Sequence, residues 1–312
     1  MPNTVGSTSN PAAPSKAKVF LRRLFSFVVL WTVVVGGLFS GNRFISDGLF
    51  LVVIMVLAGL GLWEFYGLAE KRQLVCFKWW GIGGGVLLML GTFLHLQGLL
   101  GIANSPARVN DFETIFLIVF VLGLCLRQFV SRSNTAGLLA ISTTLFGLMY
   151  VPWLLNFIQK ITYFPTLKGT GIYYLLFFIV VTKFSDIGAY VTGTLLGRHK
   201  MIPRISPNKT WEGFGGAIVF STAASLVFAQ LAGTERLIGM NWHHATILGV
   251  LLSVAAVVGD LIESLFKREA GVKDSGRLFP GIGGILDLLD SLLFNAPLMY
   301  LYLRHVLTRP TG

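Results

Sequence analysis

Acidic residues are scarce in this 312-residue chain, with 14 Asp and Glu against 25 Lys and Arg, and charged residues of both signs make up only 12% of it. So little charge cannot coat a soluble globule of this length. With 54% hydrophobic residues and a mean hydropathy of +0.72, the composition excludes a soluble domain. The two cysteines, Cys76 and Cys125, lack metal-ligand spacing, which argues against a thiolate metal centre and a disulfide framework. No Ser-His arrangement for nucleophilic catalysis is visible. The glycine run Gly81–Gly85 follows no strand and is surrounded by apolar sequence, so it reads as close helix packing and not as a dinucleotide loop. The net charge of +11 does not indicate nucleic acid, because the basic residues sit in short connections between apolar runs, where they suit lipid headgroups and phosphorylated substrates.

What the chain does have is apolar segments of spanning length, each near the ~20 residues a helix needs to cross the hydrocarbon core. Nine can be drawn: 24–40, 48–68, 79–100, 112–130, 136–158, 172–196, 214–232, 244–266 and 285–306. The last is the weakest, since it opens on two aspartates and contains Pro297. The fold class expected is an all-α polytopic membrane protein. Residues 1–23 form a disordered basic tail and 24–312 a single membrane domain, with 24–171 as scaffold and 172–306 as catalytic helices and loops. The first apolar run is long for a signal peptide and has no clear small-residue cleavage site, so it reads as a retained helix.

Alternate connections differ in charge. With the amino terminus inside, the internal side collects 17 Lys and Arg and the external side seven, so the positive-inside rule places the loops 197–213 and 267–284 in the cytoplasm. His243 and His244 fall on the opposite side and read as interfacial. The acids of the first five spans, Asp47, Glu64, Glu70, Asp111 and Glu113, sit at or near segment ends, where water is expected to reach them.

Charge enters the membrane in the later spans. In the sixth, Lys183, Asp186, Tyr190 and Gly193 follow one helix face and imply a polar cleft, or else an ion pair that only locks helices together. The next loop carries Arg198, Lys200, Arg204 and Lys209 among Ser206, Asn208 and Thr210, a mixture suited to phosphate oxygens. The bland alternatives are a positive-inside excess and a helix start at Ser206-Pro207. The stretch from Gly259 to Ser291 holds six of the 14 acidic residues. Asp260, Glu263, Ser264 and Lys267 share one face of the eighth span, and Asp287 and Asp290 recur at i and i+3 on the ninth. Carboxylates at membrane depth are a functional-site hypothesis by default. Three aspartates presented by two facing helices suit Mg²⁺, whose shell is completed by water and substrate phosphate. On spacing alone, an interhelical polar network with Lys267 or Arg268, or the ion pathway of a cation-coupled transporter, stays open. The transporter predicts midplane charges in repeated halves, and the sequence shows no such repeat.

Three blocks, KFSDIGAYVTGTLLGRHK, ISPNKTWEGFGGA and GDLIESLFKREAGVKDSGRLFPGIGGILDLLDS, resemble the phosphatidate cytidylyltransferases, or CDP-diacylglycerol synthases. The likeness covers about 183–297, and its longest signature is matched by Ser264, Lys267, Arg268, Lys273, Asp274, Pro280, Gly281, Gly283, Gly284, Asp287 and Asp290. Where many members carry His and Arg, this chain has Ile282 and Leu288, so neither position has a polar role here. The resemblance implies transfer of a cytidylyl group from CTP to phosphatidate, giving CDP-diacylglycerol and pyrophosphate, with Mg²⁺ and a second cation such as K⁺. An inactive or differently selective paralogue is the alternative. The resemblance further implies a homodimer in a bacterial-type inner membrane. It assigns Asp260, Asp287 and Asp290 as metal ligands and Ser206, Lys209 and Thr210, with Lys267, Arg268 and Lys273, to nucleotide and lipid phosphates. Asp186 would orient Lys183 or a metal-bound water. The D-x2-D-G-x2-A-R pattern of CDP-alcohol phosphotransferases is absent, since Ser291 follows Asp290.

Overall fold

The computed structural model describes residues 42–99, 106–131, 136–164, 170–276 and 283–308, together with Gly36. The expected basic tail and first span (24–40), and Arg277, Pro280, Gly281 and Ile282 of the signature region, lie outside the described residues. Among those described, eight helices are long and apolar enough to cross a membrane, matching the other eight expected spans.

The helices are α1 (Arg43–Lys71), α2 (Lys78–Leu96), α3 (Pro106–Val130), α4 (Gly137–Leu148), α5 (Leu154–Thr162), α6 (Gly171–Leu195), α7 (Trp211–Arg236), α8 (Trp242–Glu269) and α9 (Ile285–Tyr302). Local chemistry sets several ends. Asn42 accepts a hydrogen bond from Phe44 N (3.0 Å) at the start of α1, and Asn241 accepts from His244 N (2.9 Å) at the start of α8. After α8, Gly271 takes φ +67°, a left-handed turn that lets Val272 N bond back to Lys267 O at 2.9 Å. Pro152 cannot donate to the ladder, and the chain passes it in a π turn, Met149–Trp153, that joins α4 to α5 as one span. Pro297 leaves α9 unbroken despite the sequence signal against that span.

Helices α6, α7, α8 and α9 pack in chain order, and α9 also lies against α5 and α1. Their shared core includes Leu62, Tyr66, Tyr174, Phe177, Phe178, Leu248, Leu289 and Leu293. The glycine run lies inside α2. There an added Cβ at Gly81 would come within 2.1 Å of Tyr66 Oη and one at Gly84 within 2.3 Å of Phe120, so it is a helix contact.

Two scaffold acids are not at water-reached ends. Glu64 and Glu113 lie inside, each 5% exposed: Glu64 sits against Ser275 and Leu286, brought from far along the chain, and α3 begins at Pro106, ahead of the apolar run that predicted it, which leaves Glu113 within the helix. Glu113 Oε2 pairs with Lys160 Nζ at 2.6 Å and its Oε1 accepts from Asn156 Nδ2 at 2.6 Å. The pair belongs to a buried network that continues through Thr92 and Gln159.

The loop between α6 and α7 forms a small antiparallel hairpin, β1 (Lys200–Ile202) with β2 (Ser206–Thr210), in which Lys200 faces Thr210 and Ile202 faces Ser206. The helix start read at Ser206-Pro207 therefore moves to Trp211, capped by Thr210 Oγ1, which accepts from Gly213 N at 3.1 Å. Pro207 fits the ribbon because a two-stranded ladder leaves one edge without need of an amide donor.

Candidate active site

Helices α8 and α9 approach so closely at Gly259 that an added Cβ would lie 2.6 Å from Asp290 O. The neighbouring side chains follow. One carboxylate oxygen each from Asp260, Glu263 and Asp290 lies within 4.8 Å of the others. Asp260 forms an ion pair with Lys209 of the hairpin and accepts from Ser264 Oγ at 3.3 Å. Glu263, 1% exposed, pairs with Lys267 one turn along α8, and its Oε1 has no hydrogen-bond donor among the described residues.

Asp287 is held differently. Its Oδ1 receives Lys267 Nζ at 2.6 Å, while Oδ2 accepts from Gly284 N (2.7 Å) and Ser275 N (3.3 Å) and lies 3.0 Å from Ser275 Oγ, whose one proton is also within reach of Glu64. Lys267 thus joins the two helices. On α6, Lys183 Nζ lies 3.3 Å from Asp186 Oδ2 and 3.4 Å from Leu288 O, and Ser291 Oγ donates to the same Asp186 oxygen at 3.3 Å.

The hairpin closes one side. Glu212 at the start of α7 accepts from the amides of Arg198 (3.1 Å) and His199 (3.2 Å) and meets the His199 ring at 2.6 Å. Arg268 Nε donates to Ile205 O at 3.1 Å, tying the hairpin to α8. A cavity of about 380 Å³ opens between these elements, lined by Asp186, Ser206, Asn208, Lys209, Thr210, Asp260, Asp287 and Asp290, among others. Of the residues singled out in the sequence, Lys183 and Lys267 stand behind this lining as ion-pair partners. Arg268 and Lys273 are exposed near the end of α8.

Sequence reasoning placed Glu263 on the right face without assigning it a role. It missed Ser275 and Glu64, and for Glu64 no signal exists, because the contacts it makes span 211 and 222 residues. Among the described residues, five carboxylates, Asp186, Asp260, Glu263, Asp287 and Asp290, meet three lysines, Lys183, Lys209 and Lys267. That formal excess of negative charge at membrane depth calls for a further cation or for protons.

The sequence matches the cytidylyltransferase family over residues 21–306. A phosphatidate cytidylyltransferase of Staphylococcus epidermidis is 35% identical over 244 residues, covering 70% of this chain and 91% of its own. One from Mycobacterium bovis is 34% identical over 200 residues, 62% of each chain. The uncharacterized protein YnbB of Escherichia coli is 38% identical over 265 residues, 80% of each. A match of that extent, with the acidic and basic residues gathered at one cavity, makes this chain a member of the cytidylyltransferase family.

Proposed function

We propose that this membrane enzyme transfers the cytidylyl group of CTP to the phosphate of phosphatidate, releasing pyrophosphate and leaving CDP-diacylglycerol in the bilayer. The observation that carries this reading is the meeting of Lys209 from the hairpin with the α8–α9 carboxylates at one cavity, with Lys267 of α8 paired to those carboxylates behind the lining. Phosphate-binding cations and metal-binding anions are what a reaction between two polyanions needs in one place.

A divalent cation fits the residues present. Among the described residues, three carboxylate oxygens converge, Glu263 Oε1 lacks a donor, and the site's formal charge is negative. Asp260, Asp287 and Asp290 are the proposed ligands for Mg²⁺; Asp260 and Asp290 belong with Glu263 to the converging cluster, while Asp287 stands outside it, shared with Lys267. When bound, the ion neutralises phosphate charge and polarises the phosphorus under attack. A second cation such as K⁺ has the same carboxylates to draw on.

The chain's own residues do the rest. Lys209, with Ser206 and Thr210 beside it, faces the triphosphate from the hairpin side of the cavity. A phosphatidate oxygen attacks the α-phosphorus as the bond to the bridging oxygen breaks, and pyrophosphate leaves with that electron pair. The nucleophile is already an anion, so no general base is required. Lys267 and Lys209 stabilise the charge that develops on the pentavalent centre and leaving group. Arg268 and Lys273, exposed where α8 leaves the membrane, receive the lipid phosphate, while Lys183 keeps Asp186 oriented. By its Lys and Arg distribution the site faces the cytoplasm, and by family resemblance the chain acts as a homodimer in a bacterial-type inner membrane.

The test is product stoichiometry. Purified protein with CTP, phosphatidate and Mg²⁺ is expected to form CDP-diacylglycerol and pyrophosphate in equal amounts, with neither formed when any component is omitted. Pyrophosphate release without a nucleotide-lipid product overturns the reading. Light scattering of the detergent-solubilised protein checks the dimer, and a monomer mass at full activity removes that part.

A further inference from the structure

Two glycines of the signature stretch, Gly276 and Gly284, have no left-handed φ to explain them. Their surroundings do. A Cβ on Gly276 would lie 2.1 Å from Glu64 Oε1, and one on Gly284 would lie 2.3 Å from Glu64 Oε2 and 2.2 Å from Ser275 Oγ. Both glycines make room for one carboxylate, and it comes from α1, in the half of the chain that the signature does not reach.

Glu64 is 5% exposed, and its Oε2 accepts from Ser275 Oγ at 3.0 Å and Leu286 N at 2.9 Å. Leu286 N is one of the first-turn amides of α9 that no helical carbonyl can satisfy, and the N-cap residue, Gly284, has no side chain to do so. Glu64 caps α9 from another helix. The same Ser275 Oγ lies 3.0 Å from Asp287 Oδ2, so this hydroxyl stands between the α1 carboxylate and the one that holds Lys267.

We infer that Glu64 is a positioning residue for the transfer reaction: it fixes Ser275 and the first turn of α9 so that Asp287 presents Lys267 to the cavity. This inference rests on the cytidylyltransferase reading. Both observed donors reach one oxygen, Oε2, so the position needs an acceptor of the right length and not a negative charge. A glutamine with its amide oxygen at that place keeps both bonds.

The experiment compares full-length Glu64→Gln, Glu64→Ala and Gly276→Ala proteins by kcat, KM for CTP and amide hydrogen exchange of the segment containing Leu286. Glu64→Ala is expected to lower kcat at least about tenfold with KM for CTP within about threefold, and Glu64→Gln to stay within about threefold of wild type in both. Exchange at the start of α9 quickens in the alanine variant and not in the glutamine variant. Gly276→Ala alone costs about tenfold in kcat, but adds less than about twofold on top of Glu64→Ala, because the atoms it clashes with are gone. Wild-type kcat in Glu64→Ala, or equal loss in Glu64→Gln, overturns the inference, the latter by showing that the charge itself is required. Should Glu64→Ala fail to fold, Glu64→Asp decides: it keeps the charge, falls one methylene short, and is expected to lose about tenfold while Glu64→Gln does not. The reverse order overturns the claim. If wild type itself makes no nucleotide-lipid product, the reaction falls, and the exchange rates still decide the role of Glu64.

Discussion

Lys267 reaches Asp287 of the next helix while pairing with Glu263 one turn earlier on its own, so one largely buried ammonium answers two carboxylates. The buried pair Glu113–Lys160 differs, because Asn156 and the rings of Phe157 and Tyr300 enclose it and no cavity residue touches it. It joins α3 to α5. Removing one partner strands a charge, so Lys160→Met alone is expected to cost about 3–5 kcal/mol of stability, and Lys160→Met with Glu113→Leu clearly less. Thermal unfolding in detergent reads both, and a double variant less stable than the single one contradicts the account. Individual residues were unevenly legible in the sequence. Asp260, Asp287 and Asp290 stood out because carboxylates inside apolar runs are conspicuous. Glu64 and Glu113 did not, because both fall near the end of an apolar run, and what buries them is contact with distant segments, Ser275 and Leu286 for Glu64 and Asn156 and Lys160 for Glu113.

Among the elements, the hairpin is the one that brings Lys209 to Asp260, and Glu212 is what braces it against the end of α6. Glu212→Ala releases the amides of Arg198 and His199 without touching the cavity lining. The expected result is a KM for CTP raised about five- to tenfold with kcat within about twofold, the signature of lost binding geometry away from the reacting atoms. A fall in kcat at unchanged KM would place Glu212 in the chemistry instead. The eight spans were readable because length and apolarity are one-dimensional properties. The hairpin was not: SPNKT has neither strand alternation nor β-branched content beyond Thr210, and its pairing depends on where α6 and α7 stand.

At the scale of the whole molecule, the cavity lining comes from α6 to α9 and the hairpin between α6 and α7, and Glu64 of α1 bonds to Ser275 and Leu286 beside it. The proposed sidedness rests on the distribution of Lys and Arg between alternate connections. In a protein whose cysteines, Cys76 and Cys125, have been replaced by serine, an impermeant maleimide added to intact cells is expected to label Glu235→Cys and spare Arg204→Cys until the cells are opened. The opposite pattern inverts the membrane orientation and puts the cavity outside. The most direct test of the central claim follows the phosphorus. Purified wild-type protein and Asp290→Asn are given CTP labelled at the α- or the γ-phosphate, with phosphatidate and Mg²⁺, and the lipid phase is counted. The account predicts α-label in lipid, γ-label in released pyrophosphate, and a loss of at least about a hundredfold in Asp290→Asn while its fold and melting temperature are retained. Label from the γ-position in lipid, or wild-type transfer by Asp290→Asn, contradicts it.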